Sequence, residues 1–337
     1  MNKKRWAALG IAGFIFVFSI ITSFVSTALT TDFSSVFSDL MASSEEEFAE
    51  TTLESGDEFN KIAVLEVDGT IQDTGDTQSI LSSAGYNHKA FMKKLDKVKD
   101  DSDVKGIILR VNSPGGGVVE SAEIHDKIVE IQEETKKPVY VSMGSMAASG
   151  GYYISAPADK IYASQETMTG SLGVIMSGYN FEGLAEKYGV EFVTIKSGPY
   201  KDIMSSTREM TDEERDILQT MINNSYDGFV KVISEGRGIK EDKVREIADG
   251  RIYDGRQAKD LNLIDDFGYL DDVIAAMKAD YKWNDAMVVS YSDSGSLASM
   301  FGMSAKSLLS GEERELANIL TIATNANSPR LMYLYAE

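Results

Sequence analysis

Short apolar runs alternate with helical patterns over most of the chain. Runs rich in β-branched side chains predict strands, and apolar residues that recur every three or four positions predict helices. The predicted strands are Ile62–Val67, Gly106–Val111, Pro138–Val141, Lys160–Tyr162 and Phe192–Ile195. The predicted helices between them are Phe91–Val98, Val118–Ile131 and Phe181–Tyr188. This alternation is typical of an α/β domain whose mostly parallel sheet is covered by helices.

The second half of the predicted domain opens on a helix-start signal. Thr211 and Glu214 have the spacing of a capping box, and apolar residues follow at helical spacing as far as Ile233. This long helix either packs on its own domain or forms an arm between subunits. A shorter helix at Glu241–Ala248 and a strand at Val288–Tyr291 complete a domain predicted over residues 61–290.

The first residues have the pattern of a membrane anchor. Met1–Arg5 is positively charged, and the uncharged run from Trp6 to Thr31 is longer than the roughly 20 residues that span a bilayer. We expect residues 1–29 to be a transmembrane helix with a cytoplasmic N-terminus, which leaves the rest of the chain outside the cytoplasm. Ser26–Ala28 also has the small residues of a cleavage site, so removal of the anchor stays open.

Two further segments flank the predicted domain. Residues 30–60 are rich in Ser, Thr and acidic side chains, which predicts a flexible linker. Residues 291–337 form a C-terminal extension that ends in the apolar tail Ser328–Glu337. The tail either packs on its own domain or enters a groove of the active site as a substrate mimic, where it restrains activity or is trimmed.

Composition excludes several classes of function. The formal net charge of −20 argues against a nucleic-acid partner, because phosphate binding needs clustered Lys and Arg. The absence of Cys excludes disulfides, thiolate metal sites and cysteine nucleophiles. We expect neither a metal nor a cofactor. The chain has two histidines, His88 and His125.

Two glycine-rich turns carry the candidate chemistry. Asn112–Gly117 and Gly144–Tyr153 each follow a predicted strand and precede a helix, so both lie at carboxyl ends of strands, where open α/β sheets bind ligands. Ser149 then lies near a helix N-terminus, whose free N–H groups favour a developing oxyanion. Donors from Gly150 and from the 114–117 turn would suit acyl transfer through this serine.

Less specific interpretations of the same turns remain. Ser149 could simply cap the helix, as serine often does. The glycines could instead cradle a phosphate or a thioester carbonyl, although the spacing of a P-loop is absent.

A nucleophilic serine needs a base. Neither His88 nor His125 lies in a glycine-rich or strand-end context, so surface or structural roles are expected for both. A lysine can serve when burial disfavours its ammonium form. Lys196 and Lys201 flank the turn Ser197–Tyr200 after a predicted strand, and residue types alone do not choose between them.

Four motifs occur in order along the chain: Ser113–Gly117, Met146–Tyr152, Thr169–Val174 and Gly198–Lys201. Together they resemble the signal peptide peptidase A family, the Ser/Lys peptidases of the Clp protease/crotonase superfamily. The resemblance covers residues 61–266, and the single anchor and short length look like the Gram-positive-type form. It implies a crotonase-like α/β domain, a homo-oligomeric ring with interior active sites, and remnant signal peptides or other unfolded peptides as substrates.

The resemblance also implies roles for individual residues. Ser149 would be the nucleophile and Lys201 the general base, with Gly116 and Gly150 as the oxyanion hole and Ser171 orienting the lysine amine. Asn262 stands where the family often has Gly, and Asn also tolerates a left-handed helix cap. The rival interpretations are a crotonase-type acyl-CoA enzyme, which the extracytoplasmic placement disfavours, and an inactive membrane scaffold, which the presence of both Ser149 and Lys201 disfavours.

Overall fold

The computed structural model describes residues 48–73, 86–293 and 331–335. The chain divides into two compact units, and residues 50–291 with 301–337 form the larger one. Of the other unit, residues 1–49 and 292–300, only positions 48–49 and 292–293 are described. The predicted anchor at 1–29 therefore lies outside the described residues, and no helix among those described is long and apolar enough to cross a bilayer.

A mostly parallel sheet forms the centre of the larger unit. Its strand order is β1-β10-β2-β3-β5-β6-β9, with β7 paired to β5 and β8. The strands, together with β4 and β11 of a separate two-stranded ladder, are β1 (Phe48–Glu54), β2 (Asp57–Asp68), β3 (Val104–Ser113), β4 (Gly115–Gly117), β5 (Val139–Ala148), β6 (Lys160–Ala163), β7 (Met168–Gly170), β8 (Ile252–Tyr253), β9 (Asp266–Phe267), β10 (Ala286–Asp293) and β11 (Met332–Leu334). The predicted α/β class is confirmed, because β2, β3, β5 and β6 run parallel with crossovers between them.

Eight helices accompany the described strands. They are α1 (His88–Asp100), α2 (Val118–Thr135), α3 (Gly150–Ser155), α4 (Glu182–Lys187), α5 (Asp212–Arg237), α6 (Glu241–Ile247), α7 (Gly255–Asp260) and α8 (Leu270–Tyr281). The capping box predicted at the start of α5 is present, with Thr211 and Glu214 bonded reciprocally. Asn262 has the expected left-handed conformation, with φ of 60°.

The central strands are buried on both faces of the sheet. Ile62, Ile108 and Tyr140 pack with Val273 and Met277 of α8 in one cluster. The intervening residues of β2 and β3 are equally buried, and α1 contacts both strands. Long apolar runs in parallel strands are expected from such two-sided burial.

Two sequence predictions need correction. The linker predicted to reach residue 60 ends earlier, since β1 and the start of β2 occupy residues 48–60. β1 is almost wholly exposed, so its strand carries no apolar alternation that could reveal it. The residues predicted as a strand at Phe192–Ile195 belong to no strand in the described part of the chain, and Ile195 is 96% exposed.

Candidate active site

Ser149 occupies a sharp turn between β5 and α3. Its φ of 51° and ψ of −114° are unusual for a residue with a side chain, and backbone strain of this kind concentrates at functional sites. The residue is 1% exposed, and its backbone N–H donates to Gly170 O at 2.8 Å. Its Oγ bonds to no described residue and does not cap α3. The interpretation of Ser149 as a simple helix cap is therefore wrong.

The first glycine turn lies beside Ser149 as β4. Gly115 has φ of +97°, which favours glycine, and its N–H donates to Ser113 Oγ at 3.0 Å. A Cβ on Gly116 would lie 1.8 Å from Ile71 O. Only glycine fits at position 116 without a shift of the backbone.

The C-terminal tail runs along this turn as β11. Tyr333 is opposite Gly116 in an antiparallel ladder. On its other side, Met332 and Ile175 exchange two backbone hydrogen bonds of 3.0 Å. The tail is thus a strand between two edges of the chain, the arrangement by which extended peptides are bound in β-strand addition. The described part of the tail therefore packs on its own domain, beside the glycine turn, and its role as a substrate mimic remains a prediction.

The register of the tail directs one carbonyl at the turn. Val118 N–H donates to Leu331 O at 3.5 Å, and Tyr335 N–H donates to Pro114 O at 2.8 Å. Hydrogen-bonded pairs recur at every second residue of an antiparallel ladder, so Tyr333 and Gly116 form the pair between these two. If Gly115 carried a Cβ, that atom would lie 2.0 Å from Tyr333 O and 2.5 Å from Gly150 N, so these two backbone atoms are close to each other. The Tyr333 carbonyl therefore lies between Gly116 and Gly150.

The Tyr333 side chain fills an aromatic pocket. Its ring stacks on Tyr153 at 4.8 Å and packs against Phe229 at 4.7 Å. Its hydroxyl donates to Ser225 O at 3.0 Å, and burial raises its pKa. Sequence reasoning missed this pocket, because helical periodicity marks Phe229 of α5 and Tyr153 only as buried residues.

Ser171 lies near the end of the described tail. Its φ is 49°, and its N–H donates to Arg251 O at 2.7 Å. It lines a cavity of about 410 Å³ together with Leu334 and Tyr335 of the tail. Ser171 and Ser149 are joined through Gly170, which accepts the Ser149 N–H.

The two candidate lysines differ in their contacts. Lys196 Nζ donates to Asp202 Oδ1 at 2.6 Å and to Pro199 O at 2.9 Å. Lys201 is exposed, and its amine makes no hydrogen bond or ion pair with the described part of the chain. The ion pair occupies Lys196, which leaves Lys201 as the available amine. The structure does not join Lys201 to Ser149.

A charged network fixes the turn that carries Lys201. Arg208 donates to Asp202 Oδ1 at 2.7 Å and to Glu214 Oε2 at 2.8 Å. Hydrogen bonds from Arg208, followed by those from Lys196, lower the pKa of the Asp202 carboxyl. Hydrogen bonds from Arg208 and then from the Thr211 backbone lower the pKa of the Glu214 carboxyl to about 2. The network therefore links the Lys201 turn to the start of α5.

Glu214→Gln is expected to lower the thermal midpoint at neutral pH and to lose that effect in acid. Because the folded-state pKa of Glu214 is depressed, its stabilising contribution is present above the unfolded value near 4.5 and disappears as the pH falls through about 2. Thermal midpoints of both proteins between pH 7 and 2 measure this. A constant difference down to pH 2 would contradict the assignment.

Neither histidine is hydrogen-bonded to Ser149 Oγ. His88 is buried, with its ring nitrogens 2.7 Å from Tyr86 Oη and 2.6 Å from Glu123 Oε2. His125 pairs with Asp126 and packs on the Tyr153 ring. No group of three metal-ligating side chains occurs within the described ranges.

The segment that follows Ile175 is exposed. We call residues 176–202 the arm, because nearly all of their side chains are accessible. Val193 is 80% exposed and Tyr179 is 77% exposed. Its exposed large apolar residues are Tyr179, Phe181, Leu184, Tyr188, Val190, Phe192, Val193 and Ile195. Many exposed apolar side chains in one segment are typical of a protein interaction site.

Comparisons with known proteins show what the chain is similar to. The model of Peptidase family S49 matches residues 131–284, and that of Clp protease matches residues 82–169. The chain is 43% identical over 299 residues to the Enterococcus faecium protein named "Putative signal peptide peptidase SppA", covering 86% of this chain and 85% of that one. It is 38% identical to "Protease 4" of Haemophilus influenzae, over 64% of this chain and 34% of the relative. It is 32% identical to "Serine protease SPPA, chloroplastic" of Arabidopsis thaliana, over 65% and 32%.

Proposed function

Because the chain belongs to peptidase family S49 and is a serine protease, we propose that it cleaves remnant signal peptides and other extended peptides outside the cytoplasm. The observation that carries the proposal is the tail, which lies as a strand across β4 with its Tyr333 carbonyl between Gly116 and Gly150. A peptide bound in this register presents a backbone carbonyl next to Ser149. Recognition through main-chain hydrogen bonds requires an extended, unfolded substrate.

The reaction is acyl transfer through Ser149. Its Oγ attacks the carbonyl carbon of the peptide while the Oγ proton passes to the neutral amine of Lys201. The N–H groups of Gly116 and Gly150 stabilise the oxyanion. Collapse breaks the C–N bond, and the leaving amine takes the proton from Lys201. Water then attacks the acyl-enzyme by the same route and releases Ser149.

A second copy of the chain is proposed to supply Lys201. In a single chain the amine is exposed and Ser149 Oγ lacks a partner among the described residues. A general base must be neutral, and removal of water disfavours the ammonium form. Docking of the apolar arm on a neighbouring copy would bury both the arm and the amine. Repetition of this head-to-tail contact would close a ring.

The cavity beside Ser171 is the proposed entry point for that amine. It borders Leu334 and Tyr335, which follow the carbonyl between the two glycines. A lysine that enters there would meet the Ser171 hydroxyl, which we propose orients it. The proposed anchor at residues 1–29 would hold the assembly at the membrane in which signal peptides remain.

The test uses the full-length chain in detergent with a synthetic signal peptide. We expect fragments by mass spectrometry from the wild type and none from Ser149→Ala. Ser145→Ala is the matched control, since Ser145 is an exposed serine four positions earlier on β5. Intact peptide after prolonged incubation with the wild type, whatever extended sequence is offered, would contradict the proposed function.

A further inference from the structure

Residues 71–73 lie on the side of β4 that faces away from the tail. Ile71 N–H donates to Gly115 O, and Gly117 N–H donates to Ile71 O, both at 2.8 Å. Backbone groups of successive strand residues point to opposite sides. Because Gly115 and Gly117 direct these groups at Ile71, the Gly116 N–H is directed at the tail. The segment at Ile71 therefore sets the direction of this donor.

One carboxylate joins this segment to β4. Asp73 N–H donates to Glu120 Oε1 at 3.1 Å. If Gly117 carried a Cβ, that atom would lie 1.9 Å from Glu120 Oε2, so the carboxylate contacts the backbone of this glycine. Glu120 is in the first turn of α2, where the helix dipole favours a negative charge. The Glu120 side chain thus contacts both the 71–73 segment and β4, the two stretches of backbone that set the direction of the Gly116 N–H.

The surroundings of Glu120 are acidic. Burial, followed by the charges of Glu120, Glu123 and Asp73, raises the pKa of Tyr86. The hydrogen bond from Asp73 N–H needs an acceptor oxygen, which a neutral amide side chain can also supply. A glutamine keeps an acceptor oxygen for Asp73 N–H and removes a charge from the cluster.

We propose that Glu120 is a positioning residue of the oxyanion hole, acting through Asp73 and Ile71 on the Gly116 donor. The inference rests on the proposed function, because it concerns the same site. Oxyanion donors act only at about 2.7–3.1 Å from the oxyanion, so a loosened strand weakens the transition state more than the bound substrate. Loss of Glu120 should therefore reduce kcat rather than raise KM.

The kinetic test compares Glu120→Ala, Glu120→Gln and Glu133→Ala in the full-length chain. Glu133 is the control, because it is an exposed glutamate of the same helix. We expect Glu120→Ala to lower kcat about 10- to 100-fold with KM changed less than about threefold. Glu120→Gln should restore kcat to near the wild-type value, and Glu133→Ala should leave it unchanged. A wild-type kcat for Glu120→Ala, or equal losses for Ala and Gln, overturns the proposal.

Hydrogen exchange gives a second readout that does not depend on activity. We expect the amides of Ile71 and Gly117 to exchange faster in Glu120→Ala than in the wild type, and at the wild-type rate in Glu120→Gln. Unchanged exchange in Glu120→Ala overturns the inference even if kcat falls. If the wild type hydrolysed no peptide, the proposed function would fail, while the exchange rates would still decide whether Glu120 fixes this strand.

Discussion

Lys201→Ala is expected to lower kcat by about 100- to 10,000-fold, the range that a general base contributes. Lys196→Ala should cost far less, because the Lys196 amine is already engaged by Asp202 and Pro199. Steady-state hydrolysis of a fluorogenic peptide measures all three proteins.

Lys231→Ala is the control for charge removal, since Lys231 is an exposed residue of α5. Co-expression of Ser149→Ala with Lys201→Ala tests where the base comes from. If each site draws its nucleophile and base from different copies, random mixing restores about a quarter of the wild-type rate. No recovery would mean that the arm folds back within one chain. Full activity of Lys201→Ala alone would show that the base is misassigned.

Gly116→Ala is expected to lower kcat about 100- to 1,000-fold, as loss of one oxyanion donor does. The new Cβ would lie 1.8 Å from Ile71 O, a backbone atom that cannot rotate away. The shift of β4 that relieves this contact also moves the Gly116 N–H. Steady-state kinetics, with the thermal midpoint recorded beside them, measure the effect.

The control for Gly116→Ala is Gly228→Ala on the exposed side of α5. A Cβ on Gly228 would have no atom of the described residues within 4 Å, so activity should persist. A thermal midpoint of Gly116→Ala close to that of the wild type, together with a lowered kcat, would separate a displaced strand from an unfolded chain. A folded Gly116→Ala with kcat within threefold of the wild type would exclude the Gly116 donor.

Local patterns predicted the central strands well, because two-sided burial imposes continuous apolar runs on β2, β3 and β5. They predicted the turn at Ser149 as well, since glycines follow a strand there. They failed where local pattern and environment disagree. β1 is polar because it is exposed. Phe192–Ile195 is apolar without burial in its own chain, as expected if its partner is another molecule.

The chemistry of the site depended on contacts that no local pattern contains. The ion pair that engages Lys196 with Asp202 forms across a turn and is not visible in the sequence, while the assignment of Lys201 as the base remains a prediction. The position of the tail rests on the pairing of Tyr333 with Gly116, more than 200 residues away in sequence. The strained backbone of Ser149 likewise becomes visible only in the folded chain.

The strand that lies across β4 belongs to the protein itself, and we therefore expect the enzyme to be latent toward dilute substrates. A tethered occupant competes at an effective concentration on the order of millimolar. A free peptide at micromolar concentration would rarely displace it. A peptide confined to the same membrane as an anchored protease is also concentrated locally and would compete on comparable terms. Confinement, more than sequence preference, would then separate spent signal peptides from other unfolded chains.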